Sequence, residues 1–183
     1  MTLENLDMYF HPLMDINKEF ILNEKMIERS TIKVLTYNTF LRPPFTHNNE
    51  DDYKDERLID FVRRFENYDI LALQEVFGFF NNRKHEMVRY ANQSGLFYYS
   101  YGLAPSFFQK SLVDGGAMVL SRFPILEKVF YPFKYGILSD SLANKGVVYA
   151  KIQIRDAILV IFTLHTQATY FESTTEDWVS ILE

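Results

Sequence analysis

The apolar positions of this chain change period along its length, and the changes predict its elements. From Thr31 a β-branched and aromatic run of Ile32, Val34, Leu35 and Tyr37 predicts a buried strand that stops at Asn38, ahead of the Arg42-Pro43-Pro44 break. A polar loop from Thr46 to Asp52 leads into Leu58, Ile59, Phe61, Val62 and Phe65, which are spaced for the inner face of a helix. Asp69-Ile-Leu-Ala-Leu-Gln-Glu75 then reads as a second buried strand, again ending on a polar residue. Strand, helix and strand make a βαβ-like opening. In such sheets the C-terminal strand ends gather functional side chains, which puts Asn38 and Glu75 on one rim.

A second helix is predicted from Asn81 to Asn92, closed by Gly95 as a C-cap residue. After it come short strands over 97–101, 117–121, 126–131, 147–154 and 158–165, the last two joined by a tight turn at Arg155-Asp156 and so expected to form a hairpin. Residues 1–30 scatter Leu6, Tyr9, Phe10, Leu13, Phe20, Ile21 and Leu22 among charges in neither period, and read as an extension of a domain covering 31–183. The tail opens like a capped helix, with Ser173 and Glu176 at capping-box spacing, and its Trp178, Ile181 and Leu182 expect a packing partner. No terminator follows, so the sequence is expected to be the N-terminal portion of a longer domain.

Composition narrows the class. With 48% apolar residues in 183, the chain has enough for a packed core; 17 Phe and 12 Tyr suit broad, half-buried sheet faces. The absence of cysteine removes disulfides, thiolate metal sites and a thiol nucleophile, and favours a reducing, cytoplasmic setting. A net charge of −5 supplies no broad basic field for nucleic-acid backbones. The apolar runs, such as 157–162, are strand-sized and far short of the roughly 20 residues of a membrane span. The acidic N-terminus lacks the pattern of a signal peptide.

Against that background a few residues carry candidate chemistry. Asn38 and Glu75 offer one amide oxygen and one carboxylate, donors suited to a hard cation such as Mg²⁺; taken singly, a turn-forming Asn and a solvent-facing Glu explain them as well. His165 stands where the last strand leaves the core, a position open equally to a structural, hydrogen-bonded histidine. Asp140 and Lys145 share one loop, where Lys would present a compact charge to a phosphate or simply form a surface ion pair with Asp140. Asp114-Gly115-Gly116 permits positive φ or close backbone approach, which an ordinary tight turn also explains.

Jointly and in order, these stretches resemble the endonuclease/exonuclease/phosphatase superfamily, and within it the neutral sphingomyelinase-like branch. Val34-Leu-Thr-Tyr-Asn38-Thr-Phe40 resembles its first motif, Asp69 to Val76 its second, Asp114 to Ile125 its central strand and turn, and Thr163-Leu-His165-Thr-Gln-Ala168 the motif whose His contacts the scissile phosphate. Asp140 to Gly146 resembles a loop of neutral sphingomyelinases that repair nucleases generally lack. The resemblance implies an α/β fold, an incomplete four-layer α/β sandwich of the DNase I-like type, with this chain giving the first sheet and part of the second. It implies Mg²⁺ held by Glu75 and Asn38, phosphate contacts from His165 and Lys145 with Asp140, and sphingomyelin or a related phosphodiester lipid at a membrane surface as substrate, nucleic acid being less expected.

The family's later Gly-Asp-x-Asn and Ser-Asp-His motifs, the second of which carries the general base, do not occur in these residues, since the last glycine is Gly146 and the last histidine His165. The 183 residues alone are therefore expected to be inactive. Two other readings are a nuclease or inositol-phosphate phosphatase of the same superfamily, and a non-catalytic binding module.

Overall fold

A parallel pair of strands fixes the geometry of the predicted rim. The computed structural model describes residues 31–44, 52–102, 113–133 and 143–166, and the architecture is that of the unit Ile32–Glu183. Strand β1 (Val34–Leu41) runs parallel to β2 (Ile70–Val76), in register from Val34 opposite Ile70 to Asn38 opposite Gln74. The register then shifts before Leu41 meets Val76. Asn38 thus lies inside β1, three residues before its end, where the sequence pattern places the stop.

The one extra residue of β1 forms a bulge with identifiable supports. Phe40 adopts φ 52, its N–H donates to Asn38 Oδ1, and the Thr39 and Phe40 carbonyls accept from the Arg57 guanidinium at 2.8 and 2.9 Å. Beyond the bulge Leu41 returns to the core, 1% exposed.

Helix α1 (Lys54–Val62), a 3₁₀ turn (Phe65–Asn67) and helix α2 (Arg83–Gln93) cover one face of the first sheet. Leu58, Val62, Phe65, Met87 and Ala91 meet Leu71 and Leu73 of β2 and Met118 and Leu120 of β5 (Met118–Ser121) in a single cluster. Helix α2 ends as its sequence predicts. Gly95 takes φ 82, its N–H donates to the Asn92 carbonyl and that of Leu96 to Ala91, a Schellman pattern.

With β3 (Tyr98–Tyr101), the first sheet has the order β1-β2-β5-β3, parallel only between β1 and β2. Ile70, Ala72 and Val119 occupy the alternate positions of this sheet and are also buried. They match the alternation of the second sheet, β6 (Ile125–Pro132), β8 (Gly146–Ile154) and β9 (Ala157–Leu164), in which Val148, Ala150 and Ile152 are fully buried. Gln74 Nε2 of the first sheet donates to Thr163 Oγ1 of the second at 2.9 Å. The β8–β9 hairpin turns at Arg155, φ 54, as the sequence predicts. No helix among the described residues is long and apolar enough to cross a membrane.

A two-residue parallel pair, β4 (Val113–Asp114) with β7 (Ala143–Asn144), was invisible to periodicity and joins the loops between the sheets. Asp114 organises it. Its Oδ1 accepts the Gly116 N–H, its Oδ2 accepts the Gly78 N–H, and Lys84 Nζ lies 3.0 Å from the same oxygen, both side chains being 7% exposed. The two glycines have separate reasons to be glycine. A Cβ on Gly115 would collide with the Asn144 carbonyl and approach Lys145 Cα at 2.9 Å, while one on Gly116, φ 68, would approach Glu75 Cα at 3.1 Å. The turn therefore lies with the Glu75 backbone on one side and the Lys145 backbone on the other.

At the opposite end of β2, Asp69 is fully buried, accepts the Lys33 N–H and lies 3.4 Å from Arg122 Nε. Arg122 also donates to the carbonyls of Ser94, Glu66 and Tyr68. Replacing Arg122 with Met removes the charged partner of that buried carboxylate and the donor of those carbonyls, and is expected to cost about 3–5 kcal/mol in urea unfolding; a loss below about 1 kcal/mol would contradict the packing described. Gly115→Ala is expected to cost about 1–3 kcal/mol in the same measurement, because the Asn144–Lys145 backbone must move.

Candidate functional site

Glu75 closes β2 in a conformation that few side chains adopt, φ 57. A left-handed backbone at a residue other than glycine costs on the order of 1–3 kcal/mol and persists only where neighbours hold it. Here the Val76 N–H donates to the Gly116 carbonyl at 2.8 Å, and the side chain is captured by three partners. Asn38 Nδ2 donates to Oε1 at 3.0 Å, Arg42 Nε donates to Oε2 at 2.9 Å, and His165 Nε2 lies 3.5 Å from Oε1. The residue is 5% exposed, so it does not face water as an ordinary strand-end Glu would.

The structure brings four of the five sequence-identified residues into one neighbourhood. Asn38 and Glu75 bond directly, although Asn38 comes from within β1. His165 follows β9 and reaches Glu75. Lys145 sits between β7 and β8, 8% exposed, and donates from Nζ to the carbonyl of Thr166, the residue after His165. Its backbone is set against that of Glu75 by the Gly115-Gly116 turn. Asp140 lies outside the described residues.

Sequence reasoning missed Arg42, Lys84 and Gln74. Arg42 was hidden by the Pro-Pro break that follows it. Lys84 carried a usable signal: it stands in helical register with Met87 and Ala91, all three on the buried face of α2. Gln74 was read as part of a strand end, yet it bonds across to Thr163 of the second sheet.

The chemistry of this donor set is that of a hard cation. Glu75 supplies carboxylate oxygens and Asn38 an amide oxygen that now accepts the Phe40 N–H and retains a second lone pair. Among the described residues no group of three or more His, Cys, Asp or Glu forms a dedicated cage. Such a donor set suits Mg²⁺, which keeps several waters and takes few protein ligands. His165 and Lys145 add N–H donors at the same place, the second a full positive charge.

The profile of the Endonuclease/Exonuclease/phosphatase family matches residues 35–176. A sphingomyelinase of Dictyostelium discoideum is 35% identical over 133 residues, covering 68% of this chain and 29% of the relative. Sphingomyelinase C of Bacillus cereus is 31% identical over 152 residues, covering 77% and 45%. The chain thus spans less than half the length of these relatives.

Among solved structures, sphingomyelinase C from Streptomyces griseocarneus superposes with a TM-score of 0.69 at 24% identity, over 84% of this chain and 55% of that one. A Staphylococcus aureus beta toxin mutant with bound magnesium ions superposes at 0.63 and 25% identity, over 76% and 50%. The fold is the expected α/β, DNase I-like one, and the chain belongs to the endonuclease/exonuclease/phosphatase family, with sphingomyelinases among its relatives.

Proposed function

We propose that this chain carries the metal-holding and phosphate-contacting part of a Mg²⁺-dependent phosphodiesterase that hydrolyses sphingomyelin to ceramide and phosphocholine. The observation that carries the reading is the buried Glu75 carboxylate, reached at once by Asn38 and His165 from different sheets. Glu75, with Asn38 beside it, would hold Mg²⁺, which when bound supplies Lewis-acid polarisation of the phosphate and orients water. Asn38 fixes the rotamer of the carboxylate. His165 and Lys145 would donate to phosphate oxygens on which charge grows, and Asp140 belongs, by sequence, to the stretch Asp140 to Gly146 that resembles a loop of sphingomyelinases. The reading names no general base among the described residues.

The lipid part of the reading rests on the relatives and on the rim itself. The magnesium-bound beta toxin and the sphingomyelinases above are similar over most of this chain. Phe40, Tyr53 and Phe80 are 43%, 60% and 80% exposed, and all three hold positive φ, at the end of β1, at the cap of α1 and in the turn before α2. Exposed aromatic rings of this kind suit a phospholipid interface better than a nucleic-acid backbone, and the net charge of −5 points the same way.

Release of phosphocholine from sphingomyelin vesicles by the product of the full reading frame tests this. Glu75→Ala is expected to lower the Mg²⁺-dependent rate by about a hundredfold or more while leaving the fold intact by circular dichroism. Wild-type turnover in that variant would sink the metal assignment, and cleavage of abasic DNA without phosphocholine release would overturn the substrate. Phe80→Ser is expected to weaken vesicle binding several-fold with little change in turnover of a soluble phosphodiester; equal loss on both substrates would contradict a role at the lipid surface.

A further inference from the structure

Arg42 is tied to the Glu75 carboxylate as its permanent counter-charge. It stands one residue beyond β1, its side chain one-quarter exposed, with its guanidinium carbon 5.0 Å from the centre of the Phe40 ring and its Nε–H on Glu75 Oε2. Of the partners around that carboxylate, Asn38 is neutral and His165 bears charge only when protonated. Arg42 is the permanent cation. It supplies the counter-charge that a nearly buried carboxylate requires.

Two cations have a claim on one carboxylate once Glu75 is read as a metal ligand, and the inference rests on that reading. A divalent ion on Glu75 weakens the hold on Arg42 by occupying the anion's charge and by repelling the guanidinium directly. Arg42 has somewhere to go: a quarter of its side chain faces solvent, and Phe40 offers a ring face along which the planar group can slide. The anion brought to this rim by the proposed reaction is a phosphodiester, and a guanidinium matches two of its oxygens at once.

We propose that Arg42 is a phosphate-binding residue of the site, held by Glu75 until the metal takes the carboxylate and then turned onto a substrate phosphate oxygen. Arg42 therefore opposes metal binding when no phosphate is present and couples metal to phosphate when both are. Loading would then be ordered: Arg42 would leave Glu75 and reach the headgroup only once Glu75 held a metal.

Calorimetric titration of Mg²⁺ into the full-length protein, with and without saturating phosphocholine, tests this. In the wild type phosphocholine is expected to tighten Mg²⁺ binding about fivefold or more. Arg42→Gln is expected to bind Mg²⁺ alone about threefold to tenfold more tightly, to lose the coupling, and to bind phosphocholine about tenfold more weakly when metal-loaded. Arg42→Lys keeps the charge without the fork and is expected to fall between the two. Weaker Mg²⁺ binding in Arg42→Gln, or coupling preserved at the wild-type level, would overturn the proposal. Glu75→Gln separates the two claims. If it loses Mg²⁺ binding while Arg42→Gln behaves as wild type, the arginine role alone is wrong; if it binds Mg²⁺ as the wild type does, both fall.

Discussion

A carboxylate almost wholly removed from water must be compensated, and the structure around Glu75 is organised by that requirement. Desolvating such a group costs several kcal/mol unless charges and hydrogen bonds replace the water. The replacements come from β1, from the residue just after it, and from the residue after β9, so one side chain ties the first strand to the last described one. Local features that look irregular alone become consistent with this. The bulge after Asn38 swings Arg42 toward Oε2, and the left-handed turn at Glu75 aims its side chain across the strand ends.

The same logic recurs one layer away with a different charge. Asp114 is as buried as Glu75 and is compensated by Lys84 and two backbone N–H groups. Its task is placement: it anchors the turn whose missing side chains let the Glu75 and Lys145 backbones approach from either side. The proposed phosphate donor Lys145 and the proposed metal ligand Glu75 are thereby positioned through one turn instead of two independent loops. Sites that must hold reacting groups within a fraction of an ångström depend on support of this kind.

The sequence made the frame legible because the frame is repetitive. Strand periodicity gave β1, β2, β8 and β9, helix spacing gave α1 and α2, and Gly95 marked the end of α2 correctly. Asn38 and Glu75 were placed on one rim because parallel strands have their C-terminal ends together. What stayed hidden depends on single contacts. A two-residue strand has no period, so β4 and β7 were unreadable. The extension of β1 past Asn38 depends on Arg57, 19 residues later, taking the displaced carbonyls. Arg42 and Lys84 were not singled out, because their partners are 33 and 30 residues away. Glu75 was legible as a candidate through the motif it resembles, but its burial was not.

The central claim is that Glu75 is the metal carboxylate of this site. Its most direct test is a crystal of the protein soaked in Mn²⁺, a stand-in for Mg²⁺ that scatters anomalously. The account predicts an anomalous peak at roughly 2.1 Å from a Glu75 carboxylate oxygen, close to Asn38 and His165. A fully occupied peak elsewhere, with Glu75 still bonded to Asn38 and Arg42, would contradict it.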